Sequence, residues 1–243
     1  MAAAGSAHPF RRRRWGDMKK IAILCDFDGT VAQEDVGNLL FRTFSGNGGS
    51  MEIVERWRRG EISSRECLER EAELVRVNEQ ALDRFVTARH LDPYFKDFHD
   101  FATKRGMEVV IMSDGLDYYI ESLLVKHGLG EIEFFANRMK LDGDRVSVEF
   151  PYFGLLECTD CGCCKTHHLF RYREKGYFII YVGDGLSDRC PCETADLVFA
   201  KGALQQFCRE KGIDHIEFRN FRDVEREMLT RIVLAGGPEI ADE

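Results

Sequence analysis

The pentapeptide Asp26-Phe27-Asp28-Gly29-Thr30 follows directly on the apolar run Ile21-Ala22-Ile23-Leu24-Cys25. Two carboxylates at the end of a buried-type strand, with a glycine to turn the chain, stand where open α/β sheets place their ligands. A turn through Gly29 lets both side chains converge on one point. Such a pair is costly unless a cation or a proton lies between the two groups. Further along, the apolar run 108–112 ends in Ser113-Asp114-Gly115, and the run 177–182 ends in Gly183-Asp184-Gly185-Leu186-Ser187-Asp188. Lys165 opens a helical pattern between them. Taken singly, these residues read as turn, cap or surface groups. Taken in order, each on a strand end or a helix start, they read as one constellation on one rim.

The chemistry that suits this set is phosphoryl transfer through a carboxyl phosphate. Asp26 can attack phosphorus, and water then cleaves the aspartyl phosphate. Attack by an anion on an anion calls for a metal, and Mg²⁺ typically takes one or two carboxylates, here Asp26 and Asp184, together with phosphate oxygen and water. Ser113 and backbone N–H groups at the next helix start can hold the phosphoryl oxygens, with Lys165 as a fixed positive charge. Asp28 is then free to protonate the leaving alcohol and later deprotonate water.

The elements that must position these groups alternate in type. Strand patterns are expected at 21–25, 108–112, 134–136, 177–182 and 197–200, with an edge strand at 217–218. Helices are expected at 92–104, 116–127, 165–172, 204–211 and 221–234. This is the pattern of an α/β fold, a doubly wound parallel sheet with right-handed crossovers. Residues 139–150, with Asp142-Gly143 at their centre, alternate as a small β-hairpin. Helical stripes fill 31–89, so 35–89 is expected to be an inserted helical cap domain and 19–34 with 90–243 the core domain. Residues 1–18, with the run Arg11 to Arg14 and no periodicity able to bury a face, are expected to be a disordered extension.

The chain has 243 residues and a net charge of −8, which argues against a nucleic-acid-binding surface. No apolar run approaches the ~20 residues of a membrane helix, so no membrane partner is expected. Nine cysteines with no signal-peptide pattern favour reduced thiols and a cytoplasmic protein.

At these residues the sequence resembles the haloacid-dehalogenase-like (HAD) phosphatases. Asp26 to Thr30 resembles their first motif, Ser113 the second, Lys165 the third, and Gly183-Asp184-Gly185 with Asp188 the fourth. The resemblance implies a HAD-like Rossmannoid core, Asp26 as nucleophile, and Asp28 as acid/base that also offers its backbone carbonyl to Mg²⁺. It further implies Asp184 as a metal ligand and Asp188 as a residue that orients Lys165 or serves the metal.

The insert between the first two motifs is similar to the helical C1 cap of the phosphoserine-phosphatase-like branch. Within that branch, Cys158, Cys161 to Lys165 and residues 199–215 are similar to the phosphatases of methionine salvage. That similarity implies hydrolysis of 2-hydroxy-3-keto-5-methylthiopentenyl-1-phosphate, a small phosphorylated metabolite. Phosphoserine and phosphoethanolamine/phosphocholine phosphatases are the same-fold alternatives, and a non-catalytic binding module is the alternative from another class. Ser113-Asp114-Gly115 departs from the Ser-Gly-Gly common in the branch and leaves the role of Asp114 open.

Substrate contacts are expected from Ser113, Asp114 and Gly115, and from Asp35, Arg56 and Arg59 in the cap. The spacing Cys158-x-x-Cys161, with Cys163, Cys164, Cys190 or Cys192 nearby, suits structural Zn²⁺. A reduced loop beside the site is the alternative. His167 and His168 read equally as helix-surface residues and as substrate contacts.

Overall fold

Strand β1 (Ile21–Cys25) lies at the centre of the sheet because nearly every one of its side chains is apolar and buried. A strand covered on both faces has no polar side to show to water. The computed structural model describes residues 20–46, 48–157 and 159–234. The expected extension 1–18 and Cys158 lie outside the described residues.

β1 pairs in parallel with β2 (Glu108–Leu116) on one side and β5 (Phe178–Gly183) on the other. The sheet continues outward through β3 (Phe134–Asp142) and β4 (Arg145–Glu149), and through β6 (Leu197–Ala200) and β7 (Ile216–Glu217). The order of the seven strands is β4-β3-β2-β1-β5-β6-β7. The chain therefore starts in the middle and winds out twice in opposite directions, and the switch lies between β1 and β5. That is the doubly wound parallel sheet expected from the sequence, and its ligand crevice falls at the C-terminal ends of β1 and β5.

One departure is instructive. The expected strand at 134–136 and the first arm of the hairpin are a single strand, β3. It pairs in parallel with β2 at its start and antiparallel with β4 from Arg138 onward. The change in burial along β3, from buried to alternating, marks the point where it leaves the core.

Residues 35–89 carry four helices: α1 (Val36–Phe44), α2 (Gly49–Arg58), α3 (Ser64–Leu74) and α4 (Glu79–Thr87). Their starts are set by side chains: Asp35, Ser63 and Asn78 accept N–H groups at the first turns of α1, α3 and α4. Val36, Leu40 and Phe41 of α1, Ala72, and Leu82 and Val86 of α4 join the main hydrophobic core. Val54, Ile62 and Cys67 form a small core of their own, with Ile53 and Trp57 against it.

The remaining helices, α5 (Phe95–Lys104), α6 (Asp117–Lys126), α7 (Lys165–Glu174), α8 (Arg189–Thr194), α9 (Gly202–Lys211) and α10 (Phe221–Leu234), belong to the crossovers, the loop after β5 and the end of the chain. His168 of α7 is neither a surface residue nor exposed to the crevice. It is buried and stacked on Phe135 with ring centroids 3.9 Å apart, and burial lowers its pKa to about 3. Among the described residues, no helix is long and apolar enough to cross a membrane.

Candidate active site

The sheet delivers Asp26 to the crevice: its N–H donates to the Val182 carbonyl of β5 at 2.9 Å, so the strand pairing reaches the first residue of the expected constellation. The chain then turns, with Gly29 at φ 73°, a conformation that a side chain would strain. A Cβ at Gly29 would also stand 2.6 Å from Asp184 Oδ2. Thr30, at the end of the same turn, donates its hydroxyl to Asp184 Oδ1 at 3.0 Å and ties β1 to the end of β5.

The turn separates the two carboxylates that the sequence brings together. Asp26 Oδ1 accepts from Lys165 Nζ at 2.5 Å. Asp28 faces the other way. Its Oδ1 accepts the N–H groups of Val36 and Gly37, at 2.8 and 3.2 Å, at the start of α1. Its Oδ2 accepts the Tyr119 hydroxyl at 2.5 Å and the Ser113 hydroxyl at 3.5 Å. Burial, reinforced by the charge of Asp35, pushes Asp28 up to about 7, against the hydrogen bonds that favour its ionised form.

Lys165 is fully buried at the first position of α7, with all three ammonium hydrogens directed to partners. Besides Asp26 they reach Asp188 Oδ1 at 2.6 Å and Ser187 Oγ at 3.0 Å. Burial alone would lower its pKa, but Asp188 and Asp26 reverse this and hold the ammonium charged. Asp188 is itself fixed by the Tyr181 hydroxyl at 2.6 Å and by the N–H groups of Asp184 and Gly185 at 3.0 and 2.8 Å. Held in this way, Asp188 gives Lys165 a fixed acceptor in addition to Asp26.

Asp26, Asp184 and Asp188 bring carboxylate oxygens within 4.8 Å of one another. Burial and the charge of Asp188 raise Asp26 well above the ordinary carboxylate value, against Lys165, and raise Asp184 to about 6. Three hard oxygen donors so close together, with more negative charge than the neighbouring lysine offsets, fit a small divalent cation. The Asp28 carboxylate is not one of this group.

Ser113 is buried in the last part of β2, where the pairing with β3 shifts register, with its oxygen accepting the Gly115 N–H at 2.9 Å. Asp35, Ser113, Asp114 and Gly115 all line the cavity above the carboxylates. The structure does not bring Arg56 or Arg59 to that lining. Both pair with Glu61 instead, at 3.4 and 2.6 Å, and the arginine in the lining is Arg58. Arg58 stands two positions after Arg56 and one before Arg59, so the three side chains leave the chain in different directions.

Tyr119, Glu71, Ser64, Asn137 and Ser187 are reached only through the fold. Tyr119 reads as a core aromatic in its helix, yet its place four residues after Gly115 puts its hydroxyl over Asp28. Glu71 of α3 is buried in the cavity wall and accepts the Ser50 hydroxyl at 2.5 Å. The cysteine loop leads into Lys165 with Cys163 and Cys164 buried. Burial pushes the Cys163 thiol up, toward the neutral form. Among the described residues, no group of three metal donors contains a cysteine. The zinc reading also rests on Cys158, outside the described residues.

The family described as haloacid dehalogenase-like hydrolase matches residues 23–190. The 2-hydroxy-3-keto-5-methylthiopentenyl-1-phosphate phosphatase of Brevibacillus brevis is 28% identical over 211 residues, spanning 86% of this chain and 95% of the relative. The phosphatase of the same name from Geobacillus kaustophilus is 30% identical over 215 residues, spanning 85% and 94%. A solved phosphoserine phosphatase, in a phospho-aspartyl intermediate analogue form, shares the fold with a TM-score of 0.67. It is 21% identical and covers 86% of this chain and 99% of its own. With a sheet that opens its crevice between β1 and β5 and a family match across most of its length, the chain belongs to the haloacid dehalogenase-like hydrolases.

Proposed function

We propose that the protein is a Mg²⁺-dependent phosphatase that hydrolyses 2-hydroxy-3-keto-5-methylthiopentenyl-1-phosphate through an aspartyl phosphate on Asp26. Residues 35–89 serve as the cap over the site. The observation that carries this reading is the unlike setting of two carboxylates two residues apart. Asp26 lies on a charged lysine, whereas Asp28 lies on a phenol and a helix start with its pKa near 7. Such a split assigns a nucleophile and a proton carrier.

In the first step an Asp26 oxygen forms a bond to phosphorus, the bond from phosphorus to the ester oxygen breaks, and Asp28 gives its proton to that oxygen. In the second, Asp28 takes a proton from water as the water oxygen bonds to phosphorus and the Asp26–phosphorus bond breaks. Ser113 and the N–H groups beside it hold phosphoryl oxygens, and Lys165 offsets the charge that gathers on Asp26 and the phosphate. Asp26, Asp184 and Asp188 are the residues to hold Mg²⁺, which when bound neutralises phosphate charge.

The names of the relatives support the substrate, and the cavity agrees with it. Phe41, Val54, Trp57 and Leu68 also line the cavity. They offer an apolar, partly aromatic surface to a methylthio group. The cavity of about 180 Å³ suits a metabolite of a few carbons rather than a drug-sized ligand.

Phosphate release from a panel of this substrate, phosphoserine, phosphoethanolamine and phosphocholine tests the reading. The methionine-salvage ester is expected to have the highest kcat/KM, and preference for an amino-alcohol or amino-acid ester would overturn the assignment. Asp26→Asn is expected to lower turnover by ~10³-fold or more. Turnover at the wild-type rate would remove the covalent mechanism.

A further inference from the structure

Asp114 stands next to Ser113, where a second negative charge near a phosphate site needs an explanation. Both of its carboxylate oxygens are already engaged. Oδ2 accepts the hydroxyl of Ser64, the first residue of α3. Oδ1 accepts the Cys163 N–H at 2.7 Å, in the loop that leads to Lys165, and the Asn137 side-chain amide of β3 at 3.4 Å. The same amide also donates to the Asp114 carbonyl at 2.8 Å.

The start of α3 is seated on that loop by further contacts. The Ser64 N–H donates to the Asp160 carbonyl at 2.8 Å. The Arg65 guanidinium lies over the rings of Phe153 and Phe150, 4.4 and 5.4 Å from their centroids. At Gly162 a Cβ would lie 3.0 Å from Asp114 Oδ1, from the Asn137 amide nitrogen and from Phe150, so the loop packs as closely as a glycine permits.

The geometry points to Asp114 as a positioning residue that holds helix α3 and the Lys165 loop in one register against Ser113. It does not read the substrate. A single carboxylate sets both the seating of the helical insert and the spacing between the phosphate-holding hydroxyl and the lysine. Its effect on turnover rests on the phosphatase reading, but the coupling between segments does not.

Ser64→Ala, Asp114→Ala and the double variant are compared by hydrogen exchange at residues 64–68 and 159–164 without substrate, and by steady-state turnover of p-nitrophenyl phosphate. Each single variant is expected to speed exchange in both segments together. It should also lower kcat by ~10- to 100-fold, as a small misplacement does, with KM within about threefold. The double variant should lose no more than Asp114→Ala alone, because the link that Ser64→Ala removes is one of those already lost with Asp114.

Asp114→Asn keeps an acceptor for the Cys163 N–H and offers an N–H to Ser64 Oγ, so it should recover most of the loss. Unchanged exchange in Ser64→Ala would overturn the proposal, as would losses that multiply in the double variant or faster exchange with unaltered kcat. A raised KM with kcat retained in Asp114→Ala would make Asp114 a substrate contact instead. A wild-type chain without turnover would remove only the phosphatase reading, since the exchange result still decides whether the lock exists.

Discussion

The Tyr119 hydroxyl donates to Asp28 Oδ2 at 2.5 Å, from a helix whose start lies beside Ser113. With the N–H groups of Val36 and Gly37 on the other oxygen, the carboxyl plane of Asp28 is fixed from two sides. A proton carrier that swings has to find its geometry anew in each turnover. Tyr119→Phe is therefore expected to lower kcat by ~10- to 100-fold with little change in KM. Steady-state kinetics check this, and a rate within about twofold of wild type would show that the helix start alone orients Asp28.

Gly115, near the end of β2, packs against both the Tyr119 hydroxyl and Asp28. A Cβ there would stand 1.8 Å from the Tyr119 hydroxyl oxygen and 2.5 Å from Asp28 Oδ2, so one of them must move. Gly115→Ala should cost ~1–3 kcal/mol of stability through overpacking and should displace Asp28 as well. Thermal denaturation and turnover measured on one preparation check both parts. A variant with wild-type melting temperature and rate would mean that the crevice relaxes freely.

The two neighbouring arginines separate by position. Arg58 lines the cavity, while Arg56 pairs with Glu61 outside it. Arg58→Ala is expected to raise KM several-fold, and Arg56→Ala to leave kcat and KM within about twofold, since an exposed ion pair contributes little. Equal effects from both substitutions would show that α2 presents a different face to the substrate.

Glu71 links the cavity wall to pH. Burial pushes its carboxyl from the usual 4.5 to about 7, against the hydrogen bonds from Ser50 and Cys67, with the charge of Asp35 adding to the rise. Between those two values the native state holds a proton that the unfolded chain has lost. Stability from this group is therefore present below the lower value, falls as pH rises through the window, and stays lost above the upper value. Glu71→Gln should match wild type near pH 4.5 and be more stable near pH 8 by on the order of 2–3 kcal/mol. Denaturant titrations at the two pH values check the sign, and a variant less stable at the higher pH would reverse the reading.

Metal dependence tests the carboxylate cluster. Chelation of divalent ions should stop turnover, and Mg²⁺ should restore it. Asp184→Asn removes one of three charged donors and should raise the Mg²⁺ concentration for half-maximal activity by ~10-fold or more. Full activity in chelator would remove Mg²⁺ from the proposal.

Much of this protein was legible in its sequence, because apolar runs that end in carboxylates or serine announce both a strand and its functional rim. Asp26, Ser113, Lys165, Asp184 and Asp188 each follow from a strand end or a helix start, and shared strand direction alone brings them to one edge. The doubly wound class of the sheet follows from the alternation of strands and helices, whereas the order of the strands comes from the fold.

Direction of side chains was another matter. Spacing in sequence places Asp26 and Asp28 together, whereas the turn through Gly29 sends one to Lys165 and the other to Tyr119. Arg56 and Arg58 look alike as charges on one helix, and only packing against the core decides which one faces the cavity. Asp114, which the sequence places among the substrate contacts with its role open, takes its partners from β3, α3 and the cysteine loop: Asn137, Ser64 and the Cys163 N–H.

Local pattern and strand polarity thus determined which residues meet at the rim. Long-range packing decided how each is oriented, because the partners that hold Asp28, Asp114 and Glu71 come from helices and loops far away in the chain or turned by the fold.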